Sequence, residues 1–146
     1  MRTVIIENDY DVSPKRLWML ATDFQALNKV MKGKAAFEGL PHGRTKTGQK
    51  MTLMVSPLGK LPKRPYYIEI SECDDRKMLL KSLEYGLGIK SWRHTLTVQE
   101  MESGSKLRDQ IDIDAGILTP FFSLWAKHIY QSRHKPRQSL LEQGAF

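Results

Sequence analysis

Residues 91–98, SWRHTLTV, alternate in the manner of an extended chain: with a period of two, Trp92, His94, Leu96 and Val98 share one face. That face is apolar except for one imidazole. The alternation extends through IKSWRHTLTVQEM to Met101, ESGS makes a hairpin connection, and SKLRDQIDIDA resumes it with Leu107, Asp109, Ile111, Ile113 and Ala115 on the inner side. Antiparallel pairing then sets His94 opposite the neighbourhood of Asp109 to Ile113, with the register deciding which. A carboxylate beside a buried imidazole satisfies the ring N–H, fixes its tautomer and favours its charged form.

Upstream, KAAFEGL, TGQKMTLMV, YYIEISEC and KMLLKSLEY are short segments of the same period, separated by Pro, Gly, Asp and Ser. With the two strands above they make six consecutive strands, each antiparallel to the last. In YYIEISEC, Tyr66, Ile68 and Ile70 are expected inside and Tyr67 and Glu69 outside, because an unpaired buried carboxylate is costly. Adjacent Leu79 and Leu80 leave KMLLKSLEY open between two phases, one burying Leu80, Ser82 and Glu84, the other Leu79, Leu83 and Tyr85. Before these strands, TVIIENDYDV is a strand with Val4, Ile6 and Tyr10 on one side. Ser13 and Pro14 then start a short helix in cap and first-turn positions, and FQALNKVM makes a second that Gly33 ends. From Thr119 the period lengthens, and Phe122, Trp125, Ile129, Ser132, Pro136 and Leu140 fall on one face of a long terminal helix. Pro136 predicts a kink or break close to His134.

The expected architecture is α+β: a seven-stranded curved antiparallel sheet wrapped around a long C-terminal helix, with two short helices after strand one. A strongly twisted sheet cannot touch one helix along its whole inner surface, so a cavity is expected between them. The series GLGIKSWRHTLTV, SGSKLRDQIDI and IYQSRHKPRQSLL resembles the helix-grip superfamily of START-type lipid carriers, pollen-allergen-type ligand binders and polyketide cyclase/dehydrase-like proteins (SRPBCC). The matching positions are Trp92, His94, Leu107, Asp109, Arg133 and His134. The chain departs from that pattern at Leu96, where many relatives carry a second histidine, and at Leu87, Gly88 and Ile89, where Gly-Pro-Phe is usual. The resemblance implies a single domain over residues 1–146 that binds a hydrophobic small molecule, a lipid, polyketide or aromatic compound. The alternative it carries is a cyclase/dehydratase-like enzyme using His94, Asp109 and Glu84 for acid–base work.

Composition narrows the remaining classes. A chain of 146 residues with 40% hydrophobic side chains can bury a core without disulfides or metal, and Cys73 is its only cysteine. No run of about 18 apolar residues occurs, and the acids in MRTVIIENDYDV argue against a signal peptide, so a cytoplasmic protein is expected. The net charge of +7 is spread over KVMKGK, HGRTK, GKLPKR and RHKPR, a pattern of solvated surface rather than of specific nucleic-acid binding. An exposed edge or basic helix that contacts a protein or an anionic membrane face stays open as a third reading. Phosphate-loop, dinucleotide, metalloprotease and nucleophile-elbow motifs are all missing, so neither cofactor nor metal is expected.

The candidate cavity lining follows from the inward faces. Tyr10, Trp18, Phe24 and Phe37 come from the first strand, the helix pair and the second strand, and Met51 and Leu53 from the third. Trp92, His94, Leu96, Asp109 and Ile111 come from the last two strands, and Phe122, Trp125 and Ile129 from the terminal helix. Large apolar side chains at such spacings pack first and contact a ligand second. Oligomeric state is not legible.

Overall fold

The computed structural model describes residues 1–146. β1 (Arg2–Tyr10) is followed by α1 (Pro14–Ala21) and α2 (Phe24–Val30). The chain continues as β2 (Ala35–Glu38), β3 (Lys50–Pro57), β4 (Arg64–Asp74), β5 (Leu79–Gly86), β6 (Ile89–Met101) and β7 (Gly104–Asp114). A 3-10 turn (Gly116–Leu118) leads into α3 (Thr119–Ser132), and α4 (His134–Glu142) follows. The strands form one antiparallel sheet in the order β1-β7-β6-β5-β4-β3-β2. The six later strands make the expected meander, and β1 closes the far edge by pairing with β7.

Local chemistry accounts for the elements. Ser13 Oγ accepts from the Arg16 amide at 3.3 Å to cap α1, and Asp23 does the same for α2 through the Ala26 amide at 2.9 Å. Register shifts between Ile70 and Glu72 and between Glu84 and Gly86 place bulges in the middle of the sheet, where an extra residue bends the strand. That bend opens the concave face toward the helices.

The terminal helix differs from a single rod in two respects. It breaks at Arg133, leaving Pro136 in the first turn of α4, where a missing N–H forfeits no intrahelical bond. The face of α3 that meets the sheet is also rotated from the expected stripe. Ser123 and Ala126 are buried along with Ile129 and Tyr130, while Phe122 and Trp125 are only half-buried. The reason is steric: α3 packs against β1 and β7, and small side chains let it lie close.

The apolar core is accordingly divided. One cluster, including Leu17, Trp18, Leu20, Leu96 and Leu107, reaches Leu140 and Leu141 of α4. The other, including Ile6, Trp92, Ile111 and Ile113, reaches Ala126, Ile129 and Tyr130 of α3.

A charged clamp holds α1 to the β4–β5 turn. Trp18 Nε1 donates to Asp75 Oδ1 at 2.7 Å, and Arg44 pairs with the same oxygen at 2.8 Å while also donating to Thr22 Oγ1 at 2.7 Å. The Arg44 hydrogen bond, helped by Trp18, lowers the Asp75 carboxyl from 3.8 to about 2. A carboxyl with a depressed folded pKa stabilises the fold above its unfolded value, and that contribution disappears as pH falls through the folded value. Asp75→Asn is therefore expected to lower the urea midpoint modestly at neutral pH, since the carboxylate is largely solvated, with the difference from the parent vanishing between about pH 4 and pH 2.

The β6–β7 turn supplies a sharper test. Gly104 has φ 112°, and a Cβ there would stand 2.2 Å from the Tyr10 carbonyl oxygen. Because the obstacle is backbone of the neighbouring segment, Gly104→Ala is expected to cost about 2 kcal/mol or more, measured by denaturant unfolding.

Candidate functional site

A cavity of about 170 Å³ lies between the concave face of the sheet and the helices. Of the 29 residues lining it, 22 are hydrophobic, contributed by α1, α2, α3 and the inner faces of β2 to β6. Apolar cavities of about 150 Å³ in other proteins take up benzene, so this space suits a compact guest of one or two rings.

Seven polar side chains interrupt the wall: Asp23, Thr45, Ser82, Glu84, His94, Arg133 and Arg137. Asp23 is committed to capping α2, and Thr45 Oγ1 donates to the Thr22 carbonyl at 3.0 Å. The other five form a seam where the two halves of the core meet. The phase of β5 is settled there: Leu80 and Ser82 are buried and Glu84 faces the cavity, whereas Tyr85 is exposed. The inward carboxylate is tolerated because it is paired. Glu84 accepts from Tyr66 Oη at 3.0 Å and from Ser82 Oγ at 2.7 Å. Tyr66 is inward as expected; burial, reinforced by the Glu84 charge, pushes its phenol well above the ordinary tyrosine value.

His94 lies opposite Ile111, and Leu96 lies opposite Asp109, so the imidazole reaches the carboxylate diagonally across β6 and β7. His94 Nε2 stands 2.6 Å from Asp109 Oδ1, and Asp109 is completely buried. Burial opposes ionisation of Asp109, but the His94 hydrogen bond and the charges of His94, Arg137 and Arg133 outweigh it and hold its carboxyl below the usual range. An ionised carboxylate only accepts, so Nε2 carries the proton in this contact. The Tyr130 ring meets His94 edge-on at 5.1 Å and stacks with Trp92 at 6.2 Å, completing an aromatic wall with Trp125. Burial pushes the Tyr130 phenol far up and keeps it neutral.

Arg133 and Arg137 enter from the helix break. The Arg133 guanidinium lies 4.1 Å above the Tyr130 ring, a cation–π contact. Arg137 is 4% exposed; its Nη1 is 3.9 Å from Asp109 Oδ2, too far for a hydrogen bond. Beside them, burial and then the Arg137 charge lower the His134 pKa, and its ring meets Tyr10 edge-on at 4.7 Å. The surface reading of RHKPR is thus corrected at Arg137, which points inward.

The structure brings Phe24, Phe37, Leu53, Glu84, Trp92, His94, Leu96, Trp125 and Ile129 onto the cavity wall. The other candidates stand elsewhere. Tyr10 and Trp18 are buried in the α1–α4 half of the core, with Met51 packed beside them, and Ile111 is fully buried under α3. Phe122 packs on Trp125 with ring centroids 6.2 Å apart, and Asp109 sits behind His94. Tyr130, Arg137 and the α2 contribution of Ala26, Leu27, Val30 and Met31 were missed.

The sequence matches no family model and no curated protein at a significant level. Solved structures match along the whole chain. A protein from Nitrosomonas europaea aligns with TM-score 0.77 at 13% identity over 98% of this chain and 96% of its own. A Thermus thermophilus protein aligns with TM-score 0.76 at 14% identity over 99% and 100%, and a START superfamily protein from Mycobacterium smegmatis with TM-score 0.72 at 11% identity over 97% of each chain. The chain has the START-like helix-grip fold.

Truncation of the buried pair gives the direct energetic check. Asp109→Ala leaves Arg137 without its only nearby carboxylate and is expected to cost about 3–5 kcal/mol in denaturant unfolding. In a double-mutant cycle with His94→Ala, the two losses are expected to fall short of additivity by about 1–3 kcal/mol.

Proposed function

We propose that the protein binds a hydrophobic small molecule in the cavity between its sheet and its terminal helices. The observation that carries this reading is the wall itself: a mostly apolar enclosure with a few polar side chains converging on one seam, the usual composition of a small-molecule site. The fold shared with the START superfamily protein supports it in general terms.

Native mass spectrometry after mild purification, followed by thermal denaturation against lipids and aromatic compounds, tests the proposal. A ligand at about a hundred times its Kd contributes about 2.7 kcal/mol, enough to raise Tm by about 5 °C or more in a chain of this size. No adduct and no shift across the panel would defeat the reading. Leu53→Phe adds a control, because Leu53 lines the cavity and is almost wholly buried. In a hollow interior the larger ring is accommodated and the ligand response falls, whereas a filled interior would lose about 1–3 kcal/mol to overpacking.

A second reading, acid–base chemistry on a bound carbonyl compound, rests on His94 at the wall with its tautomer set by Asp109. It requires turnover that His94→Ala abolishes in a variant that still folds and still binds.

A further inference from the structure

The polar groups of the seam are unequally satisfied. Both oxygens of Glu84 accept hydroxyl hydrogen bonds, and Asp109 Oδ1 is engaged by His94. The cations are not matched in the same way. Arg133 Nε and Arg137 Nη1 are both buried without an acceptor in hydrogen-bond geometry. Asp109 Oδ2, the carboxylate oxygen nearest Arg137, is 3.9 Å away and likewise unpartnered. The Tyr10 hydroxyl lies near Arg137 and also makes no hydrogen bond of acceptable geometry. Arg133 stacks on Tyr130, a contact that leaves its in-plane N–H groups free.

Two guanidiniums one helical turn apart therefore border an apolar cavity, one of them almost completely buried, each with a donor left without an acceptor. Burying an unsatisfied charged donor is costly, and two like charges side by side add to that cost. An anion between them removes both penalties. A planar carboxylate is an anion whose two oxygens match the guanidinium fork, and the aromatic wall of Trp92, Trp125 and Tyr130 suits a flat hydrophobic body attached to it.

We infer that the guest is an amphipathic carboxylic acid of one or two rings or equivalent bulk, with its carboxylate received by Arg133 and Arg137 and its hydrocarbon body held by the apolar wall. This rests on the binding function proposed above and specifies the chemistry of its ligand. Asp109 reaches Arg137 only through space, with Oδ2 3.9 Å from Nη1, and both oxygens of Glu84 are taken by Tyr66 and Ser82, so neither carboxylate fills the arginines' hydrogen-bonding positions.

The test compares acids with uncharged amides of the same shape, by calorimetric titration of the unmutated protein at neutral pH. Suitable pairs are naphthalene-2-carboxylate with naphthalene-2-carboxamide, phenylacetate with phenylacetamide, and octanoate with octanamide. The expected result is at least one pair in which the acid binds about tenfold or more tightly than the amide, as a charge-assisted bidentate contact provides. In Arg137→Gln that preference is expected to collapse to about twofold or less, with the amide's affinity nearly unchanged. If Arg137→Gln does not fold, Arg133→Gln, whose side chain is only half-buried, takes its place, and the acid-to-amide ratio of the unmutated protein needs no variant. Amides that bind as tightly as their acids would overturn the carboxylate inference and leave hydrophobic binding standing. Failure of every acid and every amide, together with a silent thermal panel, would overturn both.

Discussion

A carboxylate with no exposure to water must find its partners within the protein, and Asp109 sets that condition at the centre of this fold. Its own strand neighbours are Leu96 and Ile6, which offer it no side-chain hydrogen bond. Relief comes from His94, placed diagonally on β6, and from the positive charge of the helix break above. The pairing therefore couples sheet register to helix position. A one-residue slip of β6 against β7 would turn His94 to the outer face and strand the carboxylate among apolar side chains.

The same requirement explains why the core is not continuous. Around the seam the molecule packs two apolar clusters, one against α1, α2 and α4 and the other against α3. An unbroken terminal helix would keep one line of side chains against both. The break at Arg133 lets α3 present Tyr130 and Ile129 to one cluster while α4 presents Leu140 and Leu141 to the other. The curved sheet and the divided helix leave the space between them incompletely filled, and Glu84, His94, Arg133 and Arg137 border that space.

Much of this arrangement was written in local pattern. Period-two alternation identified the strands and the inward rows of β6 and β7, and cap chemistry located the helix pair. Pro136 marked the place where the terminal helix would give way. The site was less legible. Leu79 and Leu80 gave β5 no phase, because the choice depended on whether Glu84 had donors to meet it, and those donors, Tyr66 and Ser82, come from an adjacent strand and from β5 itself. Tyr10, Trp18 and Ile111 have the same inward pattern as the wall residues, yet they fill the core, since alternation reports which face a side chain takes and not whether another side chain covers it.

The sequence by itself determined the elements, their antiparallel order, the His94–Asp109 neighbourhood and the helix break, because each depends on short-range periodicity, turn chemistry or the missing N–H of a proline. Only the tertiary structure decided that Arg137 turns inward, that Ser123 and Ala126 rather than Phe122 meet the sheet, and which apolar side chains border empty space. Those outcomes depend on the angle at which α3 and α4 settle on a bent sheet. That angle is set by contacts between residues far apart along the chain, which no local pattern records.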